Sequence, residues 1–104
     1  MATLSLQIPQ PSVSAGVAFP GTVTIAGAPP NATVQVALTQ CQGTGTWTSG
    51  ATAVVNSLGS GIASFPAITL AGSPHGPEIA TLVANATDNA GDFFWSDAKS
   101  VQVI

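Results

Sequence analysis

One hundred and four residues make one domain and leave no room for a second core of ordinary size. With 45% hydrophobic residues, eleven Gly and eight Pro, the make-up is that of a folded β-protein rather than a disordered tail. Only Glu78, Asp88, Asp92, Asp97 and Lys99 are acidic or basic, 5% of the chain against about 25% in ordinary soluble domains. The lone Lys99 excludes nucleic acid as a partner, because phosphate binding needs clustered cations.

Leu4, Leu6 and Ile8 alternate with Ser5 and Gln7, a period of two that predicts a first strand with one buried face. Pro9 and Pro11 cannot donate to a ladder, so this strand is expected at a sheet edge, crossing between sheets around Gln10, with Val17 and Phe19 in its second half. Residues 21–27 predict a second strand through Val23 and Ile25, and Ala28-Pro29-Pro30-Asn31 a stiff turn. Residues 33–40 repeat the alternation through Val34, Val36 and Leu38. The Gln-, Gly- and Thr-rich text around Trp47 reads as a loop or short edge hairpin, and 52–56 as a brief strand. Residues 62–70 form a further strand in which Pro66 marks an edge or a bulge. The loop 71–77, with His75, precedes two extended segments, 79–87 and 93–104, joined by the turn-forming Asp88-Asn89-Ala90-Gly91-Asp92. About seven short strands and no helical periodicity predict an antiparallel β-sandwich.

The wording Leu82-x-Ala84-x-Ala86-x-Asp88-x-Ala90-Gly91-Asp92 resembles the last hairpin of bacterial and phage immunoglobulin-like (Big-type) domains, where apolar alternation runs into Asp-x-x-Gly-Asn. Pro20-Gly-Thr-Val-Thr-Ile-Ala-Gly followed by Pro-Pro-Asn-Ala-Thr-Val-Gln-Val resembles their early strands. Together these cover about two thirds of the chain. The resemblance implies one immunoglobulin-like domain over 1–104, found as a module on bacterial surface proteins or as an accessory domain on phage heads and tails. Two departures stand out: the chain has no Tyr, leaving Ala80 where an aromatic is usual and Phe65 or Phe94 to fill the space, and Asp92 stands in place of Asn.

Side chains that carry chemistry are few. Cys41 has no partner for an internal disulfide or a thiolate cluster and is read as a small half-buried residue at a strand end. His75 lies in Ser73-Pro74-His75-Gly76-Pro77-Glu78, a proline-stiffened loop in which a serine, histidine and acid do not converge on one substrate, so no catalytic role is expected. Asp88, Asp92 and Glu78 are expected at one end of the sandwich, where calcium is weighed; Asp88 accepting bonds from its own turn amides is the preferred reading. No metal or cofactor is expected. Asn31-Ala32-Thr33 and Asn85-Ala86-Thr87 match the glycosylation pattern by chance.

The last strand poses a conflict. Val101 and Val103 should face the core, yet strict alternation then points Lys99 and Asp97 inward, a costly burial of charge. A bulge at 98–100 is expected to resolve it, turning Phe94, Ser96 and Ala98 inward and Phe93 and Trp95 outward. Exposed Phe93 and Trp95, with Trp47, are then the expected contact residues, unless the loop bearing Trp47 covers them. The functional expectation is a non-enzymatic protein that binds other proteins: a virion accessory protein of the capsid decoration or cement type, packed against capsid or sister copies. A start at Met1 with no secretion signal favours that location. The alternatives are a module of a bacterial surface adhesin and a carbohydrate-binding module using Trp47 and Trp95.

Overall fold

The computed structural model describes residues 3–72, 75–88 and 97–104. Among these residues eight strands follow one another: β1 (Thr3–Gln7), β2 (Ser12–Val13), β3 (Phe19–Ala26), β4 (Thr33–Gln42), β5 (Thr48–Val54), β6 (Gly61–Ile68), β7 (Glu78–Asp88) and β8 (Asp97–Val103). They form two sheets, one ordered β1-β3-β6 and the other β2-β8-β7-β4-β5. The pairings are antiparallel except that of β2 with β8, which is parallel. The molecule is therefore all-β and two-layered, with a mixed larger sheet.

Alternation in sequence builds the core. Leu4 and Leu6 of β1, Val23 and Ile25 of β3, Val34, Val36 and Leu38 of β4, and Leu82, Ala84 and Ala86 of β7 all turn their side chains between the sheets. Phe19 and Phe65 are buried among them, while Ala80 is fully enclosed and has no aromatic's volume. The proline-flanked crossover lies where expected: β1 ends before Ile8 and Pro9, and the chain rejoins the opposite sheet at β2. Val17 does not take part in it; it is exposed in a turn, and Phe19 instead opens β3. Pro66 lies inside β6, at the free edge of the smaller sheet, where a register shift between Phe19 and Gly21 of β3 absorbs it. The fifth strand begins earlier than expected, at Thr48, because its first half is recruited by pairing with β4 rather than by any apolar alternation of its own.

Two expectations about β8 and its neighbours are corrected. The β7–β8 register runs unbroken from Glu78↔Val103 to Ala84↔Asp97, so there is no bulge at 98–100. Ala98 consequently lies outward and exposed, and Asp97 and Lys99 share the inward register of Val101 and Val103. Burial of charge is avoided by position instead. Both residues lie beside β1, where the flank between the sheets is open. Asp97 Oδ2 accepts the Leu6 N–H at 2.7 Å, while Lys99 is exposed at the mouth of a cleft of about 370 Å³ lined also by Gln7, Ile8, Pro9 and Pro20. The second correction concerns the acids. Glu78 and Asp88 begin and end the same strand, roughly 34 Å apart at strand rise, so they cannot share one cation.

Asp97→Ala leaves an edge amide without its charged acceptor, a contact of the kind worth about 1.5–3 kcal/mol. The expected result is a loss of about 1–2 kcal/mol in urea unfolding, with faster exchange of the Leu6 amide as the local signature.

Candidate interaction surface

The register fixes which side chains the larger sheet shows to solvent. Across its outer face run Ser12 of β2, Ala98, Ser100 and Gln102 of β8, Ile79 through Thr87 at alternate positions of β7, Thr33 through Thr39 on β4, and Thr48 through Val54 on β5. None of these is acidic or basic. The four described residues that are, Glu78, Asp88, Asp97 and Lys99, all fall on the inward register: they pair with Val103, Val34, Ala84 and Leu82, each buried. In a typical half-exposed sheet charge points to water and apolar groups to the core. Here the solvent face is the uncharged one.

Its polar groups are held in place by one another. Thr39 Oγ1 and Thr48 Oγ1 lie 3.3 Å apart, and Thr52 Oγ1 donates to Gln35 Oε1 at 3.3 Å. Thr81 Oγ1 donates to Gln42 Oε1 at 3.0 Å. That bond uses its one proton, so Ser100 Oγ donates to Thr81 Oγ1 across the 2.9 Å between them. Cross-strand bonds of this sort order side chains before any partner arrives and reduce the entropy lost on contact. Midway along, Gly50, Ala37 and Asn85 are opposite one another on three strands. These small residues leave a shallow trough of about 300 Å³ floored by Val36 and Ala86 and rimmed by Gln35 and Thr87.

One end of the face is shaped by a bulge and a tethered loop. The β4–β7 register shifts between Gln40 and Gln42, leaving Cys41 as the extra residue; it is exposed, not half-buried as its residue type suggests. Gln40 is buried, and its Nε2 donates to the carbonyls of Gln42 at 3.2 Å and Thr44 at 3.1 Å. Glu78 Oε1 accepts the Thr44 N–H at 2.6 Å. A half-buried carboxylate and a buried amide thus pin the loop that carries Trp47.

Trp47 is half-buried and packs against the core, with Phe65 and Pro66 across a small cavity of about 220 Å³. It stands by β5, separated from β8 by β4 and β7. The structure therefore does not bring its ring beside the last strand. Phe93 and Trp95 lie outside the described residues, as do Asp92, Phe94 and Ser96. His75 is exposed in its loop, and Ser73 lies outside the described residues. Among the described residues no group of three metal-ligating side chains gathers, and no helix is long and apolar enough to cross a membrane. Sequence reasoning noticed the scarcity of charge but missed the uncharged face, which only strand register reveals.

No family model matches the chain, and no curated protein matches it. Among solved structures it is similar to the sporulation control protein Spo0M from Bacillus subtilis, with a TM-score of 0.59 and 13% identity. The likeness covers 98% of this chain and 49% of that one, so the chain spans about half the length of the structure it matches. At that identity the likeness is one of fold.

Proposed function

We propose that this chain is a non-enzymatic, immunoglobulin-like interaction domain over residues 1–104 that acts as a virion accessory protein of the capsid decoration or cement type. The observation that carries the reading is the outer face of the larger sheet, pre-ordered by its own hydroxyl bonds and, among the described residues, without an acidic or basic one. Such a face loses less hydration energy when covered than a charged one would and repels neither a coat protein nor a sister copy. The immunoglobulin-like assignment draws support from the strand order. If β1 and β2 are taken as two halves of one first strand that changes sheets, seven strands remain, three facing four, with the returning half beside the last strand. A non-catalytic role is consistent with Glu78, the acid nearest the histidine in sequence, being directed to the Thr44 amide.

The test is quantitative mass spectrometry of density-purified virions and of cell envelopes from one infected culture. The chain is expected in the virion band at a fixed ratio to the major coat protein. Recovery in the envelope fraction alone would replace this reading with that of a surface adhesin module.

A further inference from the structure

Each sheet of an open sandwich has two edges, and among the described residues three of the four are blunted. The β1 edge carries the Asp97 carboxylate on the Leu6 amide and is followed closely by Pro9. The β6 edge contains Pro66 and faces a register shift. The β2 edge is two residues long and follows Pro11. Inward charge, proline, irregularity and shortness are the devices by which sheets avoid pairing with other chains. The β5 edge has none of them: Thr48-Ser49-Gly50-Ala51-Thr52-Ala53-Val54 is seven residues long, uncharged, free of proline and in unbroken register with β4.

Its open hydrogen-bonding groups can be identified. Gln40 N donates to Trp47 O at 2.8 Å and Val55 N to Ala32 O at 3.0 Å. Hydrogen-bonded pairs alternate along an antiparallel ladder, so Ser49, Ala51 and Ala53 bond to β4, whereas Thr48, Gly50, Thr52 and Val54 direct their N–H and C=O groups away from it. All four are exposed, Val54 by 70%.

We propose that this edge is a homotypic docking site, at which a second copy adds its own β5 antiparallel about a two-fold axis through Ala51. In that register Thr48 meets Val54 of the other copy and Gly50 meets Thr52, so every open residue finds an open residue, with about eight new hydrogen bonds between the strands. The facing side chains are small, and none is charged. A two-fold contact needs this self-complementarity, which an edge built for a different chain does not. The result is a continuous ten-stranded sheet whose uncharged outer face is doubled in width. The proposal deepens the interaction reading above, yet the two fail separately, since it is tested in solution without any virion.

Sedimentation velocity across an about hundredfold concentration range is expected to show a monomer–dimer equilibrium, shifted by mass action. Thr52→Pro removes an N–H that no intramolecular bond uses and should leave a folded monomer throughout. As a second readout, Ala51→Cys in a Cys41→Ser background places two thiols at the axis and should oxidise to a disulfide-linked dimer, while Gly16→Cys in the same background, far from the edge, should not. A wild-type chain that stays monomeric over the whole range, or a dimer that survives Thr52→Pro and gives no cross-link in the Ala51→Cys variant, would overturn the proposal.

Discussion

Leu38→Ala is expected to remove about 3–5 kcal/mol of stability, seen as a fall of about 2–3 M in the urea midpoint at unchanged slope. Leu38 is fully buried on β4, between β5 and β7 in the larger sheet. Its cross-strand partners are Ser49 and Ala84, both too small to move into the space it leaves. Among the described residues the core contains only two buried aromatics, Phe19 and Phe65, so its volume comes from Leu, Ile, Val and Ala, and a deleted isobutyl group leaves a cavity that its neighbours cannot fill. For a domain of this size, with a total stability of about 5–10 kcal/mol, the loss would bring the protein close to unfolding at physiological temperature. A change below about 1 kcal/mol, small for a buried leucine, would mean that the sheets collapse onto the gap and that the core is less rigidly interlocked than described.

Gly59→Ala is expected to cost about 3 kcal/mol or more, although the residue lies in a turn. Gly59 has φ +78°, a region in which a Cβ costs about 1–2 kcal/mol. Sterics add to that: a Cβ here would meet the Ala28 carbonyl oxygen and lie 3.0 Å from the Ala28 nitrogen, and both are backbone atoms that cannot rotate aside. The approach is close because two turns are stitched together. Ala28 N donates to Gly59 O at 3.1 Å and Asn31 N to Asn56 O at 3.1 Å, while Asn56 Oδ1 accepts from the amides of Leu58 at 2.9 Å and Ser60 at 3.1 Å. Gly16→Ala supplies the control. Its φ is +74° with nothing within 4 Å of the added carbon, so only the conformational cost of about 1–2 kcal/mol should appear. Equal melting temperatures for the two variants would contradict the stitched-turn description.

Much of the fold was legible because one-sided burial imprints a period of two. Leu4-x-Leu6, Val23-x-Ile25, Val34-x-Val36-x-Leu38 and Val101-x-Val103 each locate a strand and its face, and Pro9 with Pro11 locates the change of sheet. The first half of β5 was not legible. Thr48, Ser49, Gly50 and Ala51 show no alternation, and they are extended because β4 offers them a ladder. Charge misled in a more instructive way. A rule against pointing Asp97 and Lys99 inward called for a bulge, but the rule assumes a closed interior. At the flank beside β1 the interior is open, and an edge amide of β1 supplies the carboxylate's partner. The same reasoning explains why the outer face escaped notice: an uncharged surface is visible only after the four described charged residues have been placed on the other register.

That face underlies the functional reading, and altering it is the direct test. Ala37→Glu introduces one carboxylate beside Gly50 and Asn85, in the trough, on an exposed position where the isolated domain can hydrate it. Covering it with a partner would bury an unpaired charge, at a cost of several kcal/mol. In co-sedimentation with virions stripped of the chain, the wild-type protein is expected to pellet with the particles, and Ala37→Glu, folded with an unchanged melting temperature, to bind about a hundredfold more weakly or remain in the supernatant. Equal recovery of the two on the particles would contradict the assignment of this face as the contact surface.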